Sequence, residues 1–105
     1  WASYCHKCEQ EIPEIVQAYP VMHPKGFQVI NISVDQTNPA WLGAVAANNM
    51  SWPNVSMLDG WKSPIARGYR VQSTPTYYLV DKNFKIVQKP ERFREVMTFL
   101  GQNLK

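Results

Sequence analysis

Two cysteines separated by two residues, Cys5 and Cys8, have a spacing that suits thiol–disulfide chemistry. The apolar residues that follow them recur at helical spacing, so the pair is predicted to lie at the start of a helix. Free N–H groups and partial positive charge there stabilise a thiolate and lower its pKa below the ~8.5 of a free thiol. We therefore expect Cys5 to be the exposed attacking sulfur and Cys8, one turn later, to close a disulfide with it.

Three charged or titratable side chains near the cysteines could tune this chemistry. His6 and Lys7 add positive charge beside the pair and should favour the thiolate, which makes the disulfide more oxidising. Glu11 follows Cys8 by three residues, so both lie on the same helix face, where apolar neighbours would raise the pKa of the carboxyl. It could then take a proton from Cys8 during exchange. An ordinary acid at the edge of the apolar stripe, paired with Lys7, explains its position equally well.

The spacing leaves other uses of the two cysteines open. A structural disulfide is one, although such a small loop gains little entropy when it closes. A zinc site needs four ligands, and only His6 and His23 could join the cysteines. Two buried, inert thiols are another alternative, against which the position at a helix start argues. A covalent haem motif is excluded, because Glu9 stands where that motif requires His.

The elements that would position these residues alternate between helix and strand. Helices are predicted at residues 5–19, 38–49 and 63–69 and from Pro90 onward, with strands at 27–34, 76–81 and 84–88. In the second helix, Asn38 is predicted to cap the N-terminus, and the residues expected to face inward are Trp41, Leu42, Val45 and Ala46. Residues 50–62 are predicted to be a loop. The short link at Lys82 and Asn83 predicts an antiparallel hairpin, and the alternation as a whole predicts an α/β sheet with helices on both faces.

Composition and charge exclude several classes of protein. The chain has 105 residues, 45% apolar and 18% charged, which is typical of one globular domain. No apolar run is long enough to span a membrane. The net charge is −3 over residues 1–60 and +6 over residues 61–105. The basic residues of the second part are spaced singly among core-type residues, which indicates a solvated surface and not a nucleic-acid site.

The first residues, Trp1 to Ser3, are predicted to be the end of a strand that enters the first helix. A strand that ends at an active-site helix normally lies inside the sheet. Residues 1–105 are therefore interpreted as a single domain, truncated at its N-terminus, in which most of this strand is missing. The loss would leave unpaired strand edges on either side of a gap. A strand exchanged with a second copy, giving a dimer, is one way to fill it.

Taken together and in this order, the motifs resemble a known family. They are Trp1-Ala2-Ser3-Tyr4-Cys5-His6-Lys7-Cys8, Glu11, Pro13, Val34-Asp35, Ser73-Thr74-Pro75-Thr76 and Val80-Asp81. They are similar to those of a thioredoxin-like domain, and within that group to the TlpA/ResA-type extracytoplasmic thiol–disulfide oxidoreductases. The chain departs from the family pattern at Tyr4, where Trp is common, and at His6-Lys7, where dipeptides containing Pro are frequent. These departures leave the direction of electron flow undetermined.

The resemblance implies a fold and a set of residue roles. The fold would be a thioredoxin-like three-layer sandwich, a mixed sheet with helices on both faces. Cys5 would be the nucleophile, Cys8 the resolving thiol and Glu11 the acid beneath the pair. Pro75 would be a cis-proline packed against the disulfide, and Thr74 would offer backbone groups to an extended substrate segment.

The function expected from the resemblance is thiol–disulfide exchange with protein partners in the periplasm or cell envelope. An upstream redox partner would reset the cysteines, no cofactor, metal or nucleic acid is required, and a membrane tether would lie outside this sequence. A non-catalytic thioredoxin-like module that binds metal or protein is the alternative. Peroxide reduction ranks lower, because relatives with that activity use Thr where Ala2 stands here.

Overall fold

Helices and short strands alternate along the computed structural model, which describes residues 1–104. The helices are α1 (His6–Met22), α2 (Asn38–Ala47), α3 (Pro64–Gly68) and α4 (Phe93–Asn103). The strands are β1 (Asn31–Ser33), β2 (Asn54–Ser56), β3 (Leu79–Val80) and β4 (Ile86–Gln88). Short 3-10 turns occupy His23–Lys25 and Gly60–Lys62. None of the helices in this part of the chain is both long and apolar enough to cross a membrane.

Helix α1 presents the two cysteines at its N-terminal end. Cys5 is the N-cap residue, and its extended backbone gives way to the helix at His6. The helix continues past the predicted end at residue 19, and through Pro13 and Pro20, as far as Met22. Its buried face explains this length, because apolar side chains at helical spacing reach Met22 and their burial outweighs the lost backbone bonds. These side chains are Cys8, Ile12, Ile15, Ala18 and Met22.

The predictions for α2 were partly wrong. Thr37, and not Asn38, is the N-cap residue, since its side chain accepts a hydrogen bond from the N–H of Ala40. No residue of α2 is buried: Leu42 is 53% exposed, and only Val45 packs as a partly buried side chain against the core. Apolar residues occur on every side of this Ala-rich helix, so spacing alone could not identify the face that packs.

The predicted start of helix α4 was wrong, because the helix begins at Phe93 and not at Pro90. Phe93, Val96 and Leu100 are buried, as expected from their spacing. The helix begins three residues after Pro90, and it runs through Gly101 to Asn103. Because the apolar face continues to pack, a glycine near its end does not stop the helix here.

The described strands form two separate two-stranded sheets. β1 pairs in parallel with β2, and β3 pairs antiparallel with β4, which confirms the predicted hairpin. β2 lies within residues 50–62, which were wrongly predicted to be a loop, because its short polar sequence gives no alternating pattern. On the other edge of β1, the nitrogen of Trp1 donates to the carbonyl of Ile32 (3.1 Å) and the N–H of Val34 donates to the carbonyl of Trp1 (2.9 Å). This is the bonding pattern of a parallel strand, so Trp1 lies beside β1.

The core lies where α1 and α4 pack together with the residues that flank the strands. Its buried side chains include those of both cysteines, Val34, Trp52 and Phe93. Three polar residues are buried with them, namely Ser33, Asp35 and Ser63. Since buried polar groups require hydrogen-bond partners, these three indicate where the interior is specifically bonded.

Candidate active site

Cys5 and Cys8 are joined by a disulfide at the start of α1, with their Cα atoms 5.2 Å apart. The sulfur of Cys5 also accepts a hydrogen bond from the N–H of Cys8 at 3.1 Å. This is the N-terminal turn of a helix, whose free N–H groups favour negative charge on that sulfur. The exposure expected for Cys5 is not found: it is 7% exposed and Cys8 is 2% exposed. The disulfide bond to Cys8 holds the Cys5 sulfur against the first turn of the helix, and this position accounts for the burial of Cys5 in the disulfide form.

The two residues between the cysteines, His6 and Lys7, face solvent. The side chain of His6 is 82% exposed, and its Nδ1 lies 3.9 Å from Oε2 of Glu9. Lys7 is exposed and borders the groove described below. Water and salt screen exposed charges strongly, so their effect on the neighbouring sulfurs is small.

Glu11 reaches across to the other end of the sequence. Its Oε1 accepts a hydrogen bond from the N–H of Phe93 at 2.7 Å and another from the hydroxyl of Tyr77 at 3.0 Å. Phe93 is the first residue of α4, whose N-cap, Arg92, makes no capping side-chain bond. Glu11 therefore supplies the hydrogen-bond acceptor that the N-cap side chain of α4 does not provide. Among the described residues it forms no ion pair with Lys7, the alternative that its position in the sequence had left open.

Tyr77 is a site residue that the sequence did not reveal. Burial, and then the charge of Glu11, raises the pKa of Tyr77 well above its usual value. The hydroxyl therefore keeps its proton at neutral pH and acts as a donor to Glu11. In the sequence, Tyr77 is one of two adjacent aromatic residues in a predicted strand, and nothing local distinguishes it from Tyr78.

A polar groove of about 560 Å³ brings together four of the seven predicted site residues. Lys7 and Glu11 line it from α1, and Thr74 and Pro75 line it from the loop before β3. The peptide bond between Thr74 and Pro75 is cis. The other residues that line the groove are Gln10, Glu14, Ser73, Glu91, Arg92 and Arg94. The two cysteines are buried and His6 faces solvent, so these three do not line the groove.

Residues 1–104 contain no set of side chains assembled to bind a metal ion, as the metal-binding alternative would require. That part of the chain holds no cluster of three or more His, Cys, Asp or Glu residues that could bind a metal ion. His23, the fourth candidate ligand, lies at the opposite end of α1 from the cysteines. Its Nδ1 is 2.8 Å from the carbonyl oxygen of Phe27, and its ring stacks on Tyr19.

A buried carboxylate supports the residues that lead into Cys5. Asp35 follows β1 and is 1% exposed. The backbone N–H of Ser3 lies 3.1 Å from each of its two oxygens, and the hydroxyl of Ser3 donates to Oδ1 at 2.5 Å. The hydroxyl of Ser33 donates to Oδ2 at 2.6 Å. Asp35 was among the residues that carried the family resemblance, but the sequence assigned it no role.

Known proteins share both the sequence pattern and the fold. Residues 1–86 match a family model described as thioredoxin-like. The ResA thiol-disulfide oxidoreductase of one Bacillus cereus strain is 34% identical over 85% of this chain and 50% of its own length. The chain spans about half the length of the curated relatives that it matches.

Solved structures agree with the sequence matches. A thiol-disulfide oxidoreductase from Bacteroides fragilis superposes with a TM-score of 0.88 and 25% identity, covering 97% of this chain and 75% of that protein. The thioredoxin domain of a thiol-disulfide oxidoreductase from Bacteroides vulgatus has a TM-score of 0.89 and 24% identity over 100% of this chain and 75% of that one, which shows the fold. The predicted fold class is confirmed, and the chain belongs to the thioredoxin-like family.

Proposed function

We propose that this chain catalyses thiol–disulfide exchange with protein substrates through Cys5 and Cys8. The observation that carries the proposal is the disulfide between these residues at the N-terminus of α1. A helix start is where a thiolate is stabilised, and the two sulfurs are already within bonding reach of each other. The names of the relatives, thiol-disulfide oxidoreductases, support the same activity.

In the reducing direction, the thiolate of Cys5 attacks one sulfur of a substrate disulfide. The substrate S–S bond breaks, the other substrate sulfur leaves as a thiolate, and a mixed disulfide links Cys5 to the substrate. Cys8 then attacks the Cys5 sulfur, which releases the second substrate thiolate and forms the Cys5–Cys8 disulfide. Two electrons have passed to the substrate, and the reverse sequence oxidises a substrate dithiol.

Glu11 is proposed to accept the proton of Cys8 in the second step. It lies one helical turn after Cys8, and Tyr77 and Phe93 fix the position of its Oε1. Its Oε2 accepts no hydrogen bond from the described residues, so this oxygen is available for the proton. General base catalysis by a positioned carboxylate is worth about 100-fold or more.

The groove beside Pro75 is proposed to hold the substrate segment. Thr74 and Pro75 form one wall, and the backbone of Thr74 would bond to an extended peptide there. Tyr4 is exposed next to Cys5 and offers an apolar surface to the same partner. His6 and Lys7 are proposed to tune the cysteine pKa values, with a small effect because both are exposed.

The same relatives support a setting for this activity. We propose that residues 1–105 act as a single thioredoxin-like domain in the periplasm or cell envelope, where an upstream redox partner resets the cysteine pair. In this domain, the strand that ends at residues 1–3 would lie between the two sheets and join them into one. Detection of the folded chain in the cytoplasm alone would contradict this placement.

The decisive measurement is the redox equilibrium of the cysteine pair in glutathione buffers, followed by thiol trapping and mass spectrometry. A reversible two-electron couple is expected. A potential below about −250 mV would identify a reductant, and one above about −180 mV an oxidant or isomerase. The matched control is Cys8→Ser, which should accumulate the mixed disulfide on Cys5. No reversible couple in the wild-type protein would refute the proposal and favour a binding module instead.

A further inference from the structure

The carboxylate of Asp35 is buried, and every hydrogen bond it accepts comes from a neutral donor. Its partners are the N–H and hydroxyl of Ser3 and the hydroxyl of Ser33. Ser33 Oγ itself accepts the N–H of Asp35 at 2.8 Å, so the hydrogen of this hydroxyl is directed at Oδ2. Both oxygens thus act as acceptors, which is the pattern of an ionised carboxylate.

This buried carboxylate is bonded to the short segment that leads into the attacking cysteine. Asp35 holds both the N–H and the hydroxyl of Ser3. Ser3 is two residues before Cys5, so the Cα atoms of Ser3 and Cys5 are at most about 7.6 Å apart. Cys5 is also tied to this segment, because its N–H donates to the carbonyl of Ala2 at 3.1 Å. Asp35 therefore fixes the backbone that leads into Cys5 and places a negative charge against that segment.

We propose that Asp35 is a positioning residue whose charge biases the cysteine pair towards the disulfide. The inference rests on the proposed exchange function, and it adds the direction in which electrons flow between the cysteine pair and its substrate. A like charge disfavours the Cys5 thiolate, so the reduced form is less stable than it would be without Asp35. A pair whose reduced form is destabilised gives up its electrons more readily and acts as a reductant.

Other positive charges oppose this bias. The N-terminal ammonium of Trp1 interacts with Asp35, but burial lowers its pKa and so reduces its charge. The remaining groups are weaker. His6 and Lys7 on α1 and Arg92 and Arg94 across the groove are all exposed. Water and salt screen such groups, whereas a buried charge acts through a medium of lower dielectric constant. Glu11, on the far side of Cys8, adds negative charge in the same sense as Asp35. The helix start stabilises the Cys5 thiolate equally in every variant, so its effect cancels when the redox equilibria of the variants are compared.

The test compares the equilibrium of wild-type and variant chains with glutathione at pH 7. In this reaction two glutathione thiols supply two electrons and two protons, the Cys5–Cys8 bond breaks, and one glutathione disulfide forms. Asp35→Asn keeps the shape of the side chain and removes its charge. We expect it to shift the equilibrium constant about fivefold towards the dithiol and to lower the pH at which Cys5 becomes alkylated.

Two matched variants separate charge from structure. Asp59→Asn removes the same charge from an exposed side chain that caps nothing, and Ser33→Ala removes one donor to Asp35 but leaves its charge. Each should shift the equilibrium less than twofold. If Asp35→Asn does not fold, Asp35→Asn combined with Ser33→Ala replaces it, because the donor that would face the new amide is then absent.

The outcomes distinguish this inference from the function on which it rests. An unchanged equilibrium and alkylation profile in a folded Asp35→Asn variant would overturn the inference while leaving the exchange function intact. A shift in Ser33→Ala as large as that in Asp35→Asn would also overturn it, because loosening and not charge would then be the cause. Absence of a reversible couple in the wild-type chain would instead refute the proposed function.

Discussion

Two carboxylates hold the segments on either side of the cysteine pair along the chain, Asp35 through Ser3 and Glu11 within α1, and their surroundings differ. Asp35 lies on the β1 side, where it is fully buried and both of its oxygens accept hydrogen bonds. Glu11 lies on the side of β3 and α4, beside an open groove, and uses one oxygen for its two bonds. A carboxylate with all its acceptor sites occupied can hold a backbone and exert a charge. One with a free oxygen beside water can also exchange a proton.

The largest expected effect tests the proton-transfer half of this comparison. Glu11→Gln keeps an oxygen that can accept from Tyr77 and Phe93 but removes the base. We expect the rate at which Cys8 resolves a mixed disulfide to fall about 100-fold, measured by stopped-flow release of a labelled thiol. Glu14→Gln, which alters another acid of the same groove, is the control and should keep the wild-type rate. Equal rates in Glu11→Gln and wild type would remove the catalytic role of Glu11.

The next effect tests the structural half. Asp35→Ala leaves the N–H and hydroxyl of Ser3 and the hydroxyl of Ser33 without their buried acceptor. We expect a loss of about 2–4 kcal/mol in the free energy of unfolding, measured in urea with the disulfide intact. Asp59→Ala, on the exposed surface, should cost no more than about 0.5 kcal/mol. Similar losses in the two variants would show that the Asp35 network does not stabilise the fold.

A smaller effect is expected at Tyr77, because its bond to Glu11 contributes both to stability and to the position of the proposed base. Tyr77→Phe removes one donor to Glu11, while the N–H of Phe93 continues to hold the same oxygen. The expected loss of stability is about 1 kcal/mol, together with a rate of resolution lowered about threefold. Tyr78→Phe is the matched control, because that hydroxyl bonds to the carbonyl of Tyr69 and does not touch Glu11. A loss of rate in both variants would exclude a specific action through Glu11.

Tyr77 also predicts a dependence of stability on alkaline pH. Burial, followed by the charge of Glu11, raises its pKa in the folded state, so the folded chain holds this proton more tightly than the unfolded chain does. Its contribution is fully present below about pH 10 and is lost as the pH rises further. Urea unfolding at pH 9 and pH 11 should therefore show a steeper decline for wild type than for Tyr77→Phe. Parallel declines would contradict the prediction.

The smallest effect belongs to an exposed charge. Lys7→Gln should shift the glutathione equilibrium less than twofold, and the difference should vanish in 1 M salt, where the Debye length is about 3 Å. A large shift that survives high salt would mean that Lys7 acts on the sulfurs by direct contact and not as a screened surface charge.

Local features of the site could be predicted from the sequence, whereas its long-range contacts could not. The cysteine spacing and the apolar periodicity of α1 lie within a few turns of one helix, and they gave the position of the disulfide. The bonds from Ser3 to Asp35 and from Tyr77 to Glu11 span 32 and 66 residues. A serine before a cysteine and a tyrosine in a strand have no local signature that identifies such partners. For the same reason the strand β2, defined by its pairing with β1, was missed.

The bond between Glu11 and the N–H of Phe93 joins residues 82 positions apart. During synthesis the N-terminal part of a chain emerges first. Cys5 and Cys8, three positions apart, can therefore meet and oxidise long before the start of α4 exists to hold Glu11. Where an oxidant is present, the disulfide can therefore form before Glu11 is fixed beneath it. The proton-transfer step proposed for Glu11 therefore depends on a contact that can form only after Phe93 has been made.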